Sequence, residues 1–480
     1  MPAVQTAQYD EMFGPDGEVR AAYAGYDAWY RGQDQGWLRK QAAEAEGFFR
    51  RTGITFNVYG DDAGEERLIP FDMVPRIITA AEWRRLSRGI EQRVRALNAF
   101  LHDVYHRQEI VRAGKLPERL LRENAAYLPV MAGFVPPGGV YTHIVGIDLV
   151  RTGPDDFMVL EDNARTPSGV SYMLENRETM MAMFPELFTQ VRVRPVSDYP
   201  RRLARSLAAC TPPAAQFSAG ERPTVAVLTP GVYNSAYFEH AFLADQMGAE
   251  LVEGSDLRVV GGRIAMRTTR GWQPIDVLYR RVDDEYLDPL TFNPDSALGV
   301  PGIMDVYRAG GITIANAPGT GIADDKAIYS FMPEIVEFYT GEKPLLQNVP
   351  TWRCSEPESL QYVLDNLAEL VVKEVHGSGG YGMLIGPTSS RKEIAAFAAK
   401  LRARPDNYIA QPTLSLSTCP IFTKAGLAPR HVDLRPFVLV SPNGVDITPG
   451  GLTRVALKKG SLVVNSSQGG GTKDSWVLED

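Results

Sequence analysis

Lys373 and the glycines that follow it, in the run LVVKEVHGSGGYGMLIGP, are residue types that can hold phosphate. Gly377, Gly379 and Gly382 satisfy the pattern G-x-G-x-x-G, and Gly380 makes four glycines in six residues. A dinucleotide fingerprint needs the third glycine to open a helix. Here Met383-Leu384-Ile385 before Gly386-Pro387 reads as a second strand and a turn, so the glycines fall at the tip of a hairpin. The sequence contains no G-x-x-x-x-G-K-[ST], and Lys373 precedes its loop with no H-R-D or D-F-G after it, which sets aside the P-loop and kinase arrangements. A different clamp is implied. Glycines without Cβ let backbone N–H groups approach phosphate oxygens, and a lysine on the preceding strand neutralises charge on the same nucleotide. The bland alternative is a plain hairpin turn, which ordinarily uses one or two glycines. Ser378 is a weaker phosphate contact, and His376 reads as a hairpin residue rather than a base.

The second constellation is acidic. In VYTHIVGIDLV, RTGPDD and FMVLEDN, Asp148 and Glu161 lie symmetrically about a turn centred between Pro154 and Asp155, so an antiparallel hairpin sets them face to face. Asn163, two residues beyond Glu161, projects to the same face, while Ile147 and Leu149 alternate with Leu160 on an apolar face. Two like charges directly opposite each other destabilise a sheet unless a cation lies between them. Two carboxylates and an amide are hard oxygen ligands suited to Mg²⁺ carrying phosphate. The alternative is a solvated strand face.

These sites need elements to carry them. From Thr79 to about Leu121 the spacing of Trp83, Leu86, Ile90, Val94, Leu97, Leu101 and Val104 predicts a buried helical layer. Residues 224–320 repeat strand then helix, with VAVLTP, AELVEG, DVLYRR and ITIANA as strands of a small parallel sheet. The remainder opens on a helix at DDKAIYSFMPEIVEFY and continues mostly as strands broken by Gly and Pro. The first fifty residues show weak helical periodicity, and GITFNVYGDD reads as a strand running into a turn. Four divisions are expected: 1–130, an N-terminal strand and helical region; 131–221, the metal-binding hairpin; 222–320, the Rossmann-like unit; and 321–480, the nucleotide-binding portion with the glycine flap.

Composition narrows the function classes. A net charge of -8, with 50 basic and 58 acidic residues spread along 480, offers no basic stripe for nucleic acid. No apolar run is long enough to cross a bilayer and the N-terminus lacks the signal-peptide pattern, so a cytoplasmic location is expected, with no membrane partner. Cys210, Cys354 and Cys419, odd in number and widely spaced, with no clustered histidines, argue against a disulfide framework or a zinc site.

Together these residues resemble the ATP-grasp superfamily of D-alanine–D-alanine ligases, glutathione synthetases and ribosomal-protein glutamate ligases, in permuted order. VLEDNARTPSG is similar to that family's closing D…E-x-N magnesium motif, yet it precedes Lys373 by some two hundred residues. HVDLRPFV resembles the ligases' D-I-R-V-F-V strand, and GGLTRVALKKGSLVVNSSQGGG the segment that leads in them to the metal motif. The opening PRIITAAEW…GIEQRVRALNAFLHDVY is similar to the type 2 circularly permuted ATP-grasp family, often labelled glutathionylspermidine synthase-like.

The resemblance implies a mixed α/β (α+β) fold, a circularly permuted ATP-grasp with a small parallel-sheet pre-ATP-grasp domain and an N-terminal helical layer. It implies ATP and Mg²⁺ as cofactors and an amide-forming carboxylate–amine ligase working through an acyl phosphate. Lys326 in IADDKAIYS and Lys373 match the phosphate-contacting lysines, Arg454 the catalytic arginine, with Arg435 assisting. Arg165 and Asn465 are weaker candidates for substrate or phosphate contact. YIAQPTL puts Tyr408 to Gln411 where nucleotide contacts are expected, with Gln411 in place of the acidic residue that commonly meets the ribose. The implied partners are small-molecule or peptide carboxylates and amines, together with α-helical and transglutaminase-like proteins. Two rival functions stay open: a nucleotide-binding scaffold that docks partners without turnover, and a phosphotransferase, for which the required phosphohistidine segment is not evident.

Overall fold

In the computed structural model the residues described are 8–52, 69–217, 221–375, 382–461, 464 and 469–480, with backbone alone for 55–57 and 66–68. The largest sheet among them has ten strands. Its main path runs Gln347–Asn348, Phe157–Asn163, Ile144–Arg151, Gly426–Arg435, Leu452–Val455, Gly471–Val477 and Phe71–Ile78. Strands far apart in the chain are thus neighbours. The hairpin of 144–163 lies between 347–348 and 426–435, and the last strand pairs in parallel with 71–78.

The helix Ala80–Val104 covers one face of this sheet. Trp83, Leu86, Ile90 and Val94 pack on Ile147, Leu149, Val159, Leu434 and Val438, while Leu97, Leu101 and Val104 continue into the core shared with the parallel sheet. A capping box starts it, with the Thr79 side chain accepting from Glu82 N–H and the Glu82 carboxylate accepting from Thr79 N–H. It ends earlier than the periodicity to Leu121 predicts. Gln108 takes a left-handed conformation (φ 53°), and the Asp103 carboxylate accepts from the N–H groups of Glu109 and Ile110, starting a separate short helix, Glu109–Arg112.

The four strands expected within 224–320 form a parallel sheet in the order Thr313–Ala315, Val277–Arg280, Val225–Leu228, Glu250–Val252. An antiparallel trio, Leu257–Val260, Arg263–Thr268 and Gly271–Pro274, is inserted between its strands, which the strand-then-helix pattern does not anticipate. A fourth sheet carries the flap, in the order Trp352–Arg353, Tyr408–Pro412, Leu370–Glu374, Leu384–Ile385. Helices Pro357–Asp365 and Arg391–Ala403 pack on it, so this part is less purely strand than expected. The second helix carries a legible start signal, because Ser390 and Glu393 form a reciprocal capping box.

The N-terminal segment has a structural role. Helices Ala24–Arg31 and Gln35–Thr52 place Tyr26, Trp29 and Leu38 in a core with Phe184 and Trp476. Ahead of them Glu11 reaches into the interior, 1% exposed, and pairs through both oxygens with the fully buried guanidinium of Arg76 at 2.6 and 2.8 Å.

His143, at the entry to Ile144–Arg151, is buried with neither ring nitrogen hydrogen-bonded, and burial pushes its pKa down to about 3 from 6.5. The folded protein keeps this ring neutral where the unfolded chain takes up a proton. Stability therefore falls as pH drops from about 6.5 toward 3. His240, pushed down to about 2 by burial, acts in the same direction. His143→Leu is expected to shrink the difference between urea midpoints at pH 7.5 and pH 5 without abolishing it; an unchanged difference would show that His143 does not drive it.

Candidate active site

The acidic hairpin pairs Asp148 with Glu161 and Gly146 with Asn163, as the symmetry predicts, but a bulge achieves this. Near the turn the register runs Arg151 to Phe157 and Leu149 to Val159, which centres the turn on Pro154. It shifts between Leu149 and Asp148, leaving Leu160 as the extra residue. The bulge reverses the alternation. Phe157 and Val159 face the core with Ile147 and Leu149, and without the extra residue Glu161 and Asn163 would follow them there. Val159, not Leu160, is therefore the apolar partner of Ile147 and Leu149. Asp162, between Glu161 and Asn163, faces the core side and is held there by the buried Arg93 of Ala80–Val104 through two bonds of 2.6 Å.

Both candidate catalytic arginines converge on this hairpin. Arg435 ends Gly426–Arg435 and donates to Asp148 from Nε at 2.5 Å and from Nη2 at 2.8 Å. Gly146 makes room for it, since a Cβ there would lie 3.3 Å from Arg435 Cδ. Arg454, on the next strand, donates to Asp148 Oδ2 at 2.7 Å and to Asp433, its register partner. Burial by itself would raise the Asp148 carboxyl, but the two guanidinium groups outweigh it and hold the group well below the usual carboxylate range. Glu161 goes the other way, raised by burial and by the charge of Asp148 against the pull of Arg435 and Lys373.

The cations from the second half of the chain reach the same place. Lys373 sits on Leu370–Glu374, and burial pushes its pKa down to about 8, with Glu161 opposing that shift, Lys326 adding to it and Asp148 opposing it. Lys326 opens the short helix Lys326–Tyr329, capped by the Asp325 carboxylate, and its backbone N–H donates to Val375 O just past Lys373. Tyr329 ties that helix to the hairpin, its hydroxyl donating to Val159 O at 2.6 Å. Two lysines, two arginines and two acids from segments far apart in the chain thus form one cluster.

Gly382 adopts φ +70° and a Cβ there would meet the Glu374 carboxyl at 2.8 Å, so the flap's return needs glycine. Gly377, Ser378, Gly379, Gly380 and Asn465 lie outside the described residues, as does His376. Tyr408 and Gln411 belong to the interior of the flap sheet: the Tyr408 ring packs on Phe397 in its core, and the Gln411 amide donates to Thr351 Oγ1 at 3.1 Å. The Tyr408 side chain is thus buried, its hydroxyl donating to Glu374 Oε1 at 3.5 Å. Arg165, just past the hairpin, pairs with Asp324 at 3.1 Å, whose carboxyl burial pushes up to about 6 against the pull of Arg165.

Sequence reasoning passed over the residues that hold this loop. Asn316, at the end of a parallel strand, accepts from His143 and Ile144 N–H and donates to Ile144, Ala164 and Arg165 carbonyls. Glu239 accepts from the N–H groups of Gly169 and Ser171, and Arg281 donates to Pro167 O. The carboxyl ends of the parallel sheet therefore grip residues 164–171. Asp433 had a signal: two residues before Arg435 on one strand, it shares that residue's face.

Comparison with known proteins agrees with this architecture. The family model described as circularly permuted ATP-grasp type 2 matches residues 75–456. An uncharacterized protein of Synechocystis sp. is 52% identical over 471 residues, covering 98% of this chain and 97% of its own. An uncharacterized protein of Mycobacterium tuberculosis is 51% identical over 477 residues, 99% of this chain and 85% of its own. A Frankia alni protein named "Putative glutamate--cysteine ligase 2-3" is 43% identical across 98% of this chain, which corresponds to 54% of that protein. Among solved structures, a glutathione synthetase-like effector from Globodera pallida in its apo form superposes with a TM-score of 0.57 at 11% identity, over 93% of this chain and 98% of that one, a likeness of fold.

Proposed function

Since the chain belongs to the circularly permuted ATP-grasp type 2 family, we propose that it is an ATP-dependent ligase that activates a carboxylate as an acyl phosphate and joins it to an amine, releasing ADP and phosphate. The convergence of Lys373 and Lys326 with Glu161 and Asn163 carries this reading, because cations for a triphosphate and oxygens for its metal meet in one cluster. Asp148, Glu161 and Asn163 fit a magnesium ion by donor chemistry, two carboxylates and an amide oxygen on one face of the hairpin, with the Glu161 side chain 34% exposed. Such an ion supplies Lewis-acid charge stabilisation at the phosphates.

The chain's own groups do the rest. Lys326 and Lys373 bind and orient the nucleotide, with the glycine flap supplying N–H donors. Arg435 and Arg454 face the negative charge that develops when a carboxylate attacks phosphorus, and again when an amine attacks the acyl carbon. The amine's proton and the phosphate leave, and an amide remains. The Frankia relative's name is in keeping with carbon–nitrogen bond formation, with small-molecule or peptide substrates. Among the described residues no helix is long and apolar enough to cross a membrane. Supplying amino acids, amines and small peptides in pairs while measuring ADP tests the reading. ADP release that requires both a carboxylate and an amine supports the ligase; release needing neither, or none at all with ATP bound, favours a phosphotransferase or a scaffold.

The lysine makes a pH prediction. With its pKa near 8 in the free protein, Lys373 is largely neutral at pH 9, while a bound polyphosphate favours the ammonium. ADP binding should therefore take up a proton above about pH 8, and affinity should fall as pH rises from 8 to 10. Calorimetry at pH 9 in two buffers of different ionisation enthalpy measures this; no uptake would place Lys373 away from the phosphates.

A further inference from the structure

Arg165 is anchored at its root and open at its tip. Its backbone carbonyl accepts from the Asn316 amide at 3.2 Å, and its Nε donates to Asp324 Oδ2 at 3.1 Å. Asp324 is itself fixed, because its other oxygen accepts from Ala164 N–H. The stem lies against Gly321, where a Cβ would come within 3.2 Å of Arg165 Cδ. Neither Nη nitrogen has a hydrogen-bond partner among the described residues, and the side chain is 40% exposed. A guanidinium fork held in this way suits a planar carboxylate.

An opposite charge stands near it. Burial disfavours the Arg165 cation, and Asp324, Asp283 and Asp284 outweigh that cost. Two of these acids are committed: Asp324 to Arg165 and Ala164, and Asp284 to Arg280 at 2.7 Å and to Gly319 N–H at 3.2 Å. Asp283 is not. It is exposed, its side chain caps nothing, and among the described residues it pairs with no cation. Arg165 comes two residues after Asn163, and Asp283 follows the strand Val277–Arg280 at the carboxyl end of the parallel sheet, where open α/β sheets bind ligands.

An open fork and an open carboxylate, acting on each other without pairing, are complementary to a zwitterion. We propose that Arg165 and Asp283 hold the α-amino-acid head of one substrate, its carboxylate on the fork and its ammonium on Asp283. Bound so, the head does not react: an ammonium has no lone pair to attack an acyl carbon, and the carboxylate oxygens are engaged by the arginine. That substrate therefore reacts through its side chain. Asp324 is a positioning residue, holding Nε so that both Nη atoms are left for the ligand. A polyamine offers no carboxylate to the fork and meets its charge as repulsion. The inference rests on the ligase reading above and adds the class of one substrate.

Calorimetric titration of the full chain with ADP and Mg²⁺ present tests it, using the proteinogenic L-amino acids one at a time. At least one should bind saturably, and its analogues lacking the α-carboxylate or the α-amine should bind at least tenfold more weakly. Arg165→Gln is expected to weaken that amino acid at least tenfold and Asp283→Asn at least threefold, with ADP affinity within twofold of wild type in both. Arg165→Lys, which keeps a charge beside Asp324 but not the fork, should recover only part of the loss. Binding of no amino acid by the ADP-bound wild type would overturn the inference, as would unchanged amino-acid affinity in either variant. A parallel loss of ADP affinity in Arg165→Gln would overturn it too, by placing the arginine on the nucleotide. Wild-type protein that binds no ADP would overturn the ligase reading itself, and the inference with it. Arg165→Gln leaves the Asp324 carboxylate without its cation and folding is at stake; the exposed Asp283→Asn then decides the matter alone.

Discussion

Lys373→Met is expected to reduce ATP-dependent ADP release by about a hundred- to thousandfold, the scale seen when one preorganised charge stabiliser is removed from an active site. The fold should survive the change. Lys373 lies on a flap-sheet strand whose core is made by Val372, Leu370 and Leu384, and its ammonium is disfavoured there by burial. Methionine keeps the length of the stem and discards a charge that the protein holds against its own desolvation. Thermal melting should accordingly be unchanged or slightly raised, whereas ADP release measured by a coupled assay should collapse. Glu161→Ala should behave alike for the opposite reason, since it removes an open acid beside the same phosphates. Normal ADP release in either variant would detach the cluster from ATP chemistry.

The largest effect on stability is expected far from that cluster. Glu11→Ala leaves the Arg76 guanidinium fully buried without a carboxylate, and breaking a buried pair in this way costs about 3–5 kcal/mol. Three features sharpen the expectation. Arg76 Nη1 already lacks a hydrogen-bond partner, so no reserve contact takes up the charge. Ser417 also donates to Glu11 at 2.6 Å, so the same change loosens the strand that follows it. Glu11 further joins the N-terminal segment to Phe71–Ile78 of the large sheet, and its loss should release residues 10–20 together. Burial raises the Glu11 carboxyl but Arg76 outweighs it and lowers the pKa, so this stability is present above the ordinary carboxylate range and is lost as pH falls through the depressed value. Urea denaturation at neutral pH measures the effect. A midpoint unchanged in Glu11→Ala would mean that the N-terminal segment is an appendage; partial recovery in the double variant Glu11→Leu with Arg76→Leu would identify the stranded charge as the cause.

The contrast between these two sites shows what could be read from residues alone. Helix Ala80–Val104 and the parallel strands were legible because each declares itself by local periodicity, and the capping box at Ser390 was legible though overlooked. The facing of Asp148 and Glu161 was legible through symmetry about a turn, although the bulge at Leu160 that delivers it was not. A bulge changes parity without changing composition, so both Leu160 and Val159 look like core residues in the sequence. The burial of the Tyr408 ring was not legible for a related reason: a tyrosine in a strand looks the same whether its ring faces a cleft or Phe397.

By itself the sequence determined the chemistry available: a lysine followed by glycines, two acids and an amide at hairpin spacing, two arginines on strands near the end, and the permuted order that marks a circularly permuted ATP-grasp. Only the tertiary structure decided which charges neutralise one another. Pairing between Asp148 and Arg454 spans 306 positions and between Glu11 and Arg76 spans 65, and neither separation leaves a local trace. Helical and strand periods arise from each residue's near neighbours, whereas a buried ion pair exists only where burial removes water from both partners and brings them within hydrogen-bonding distance.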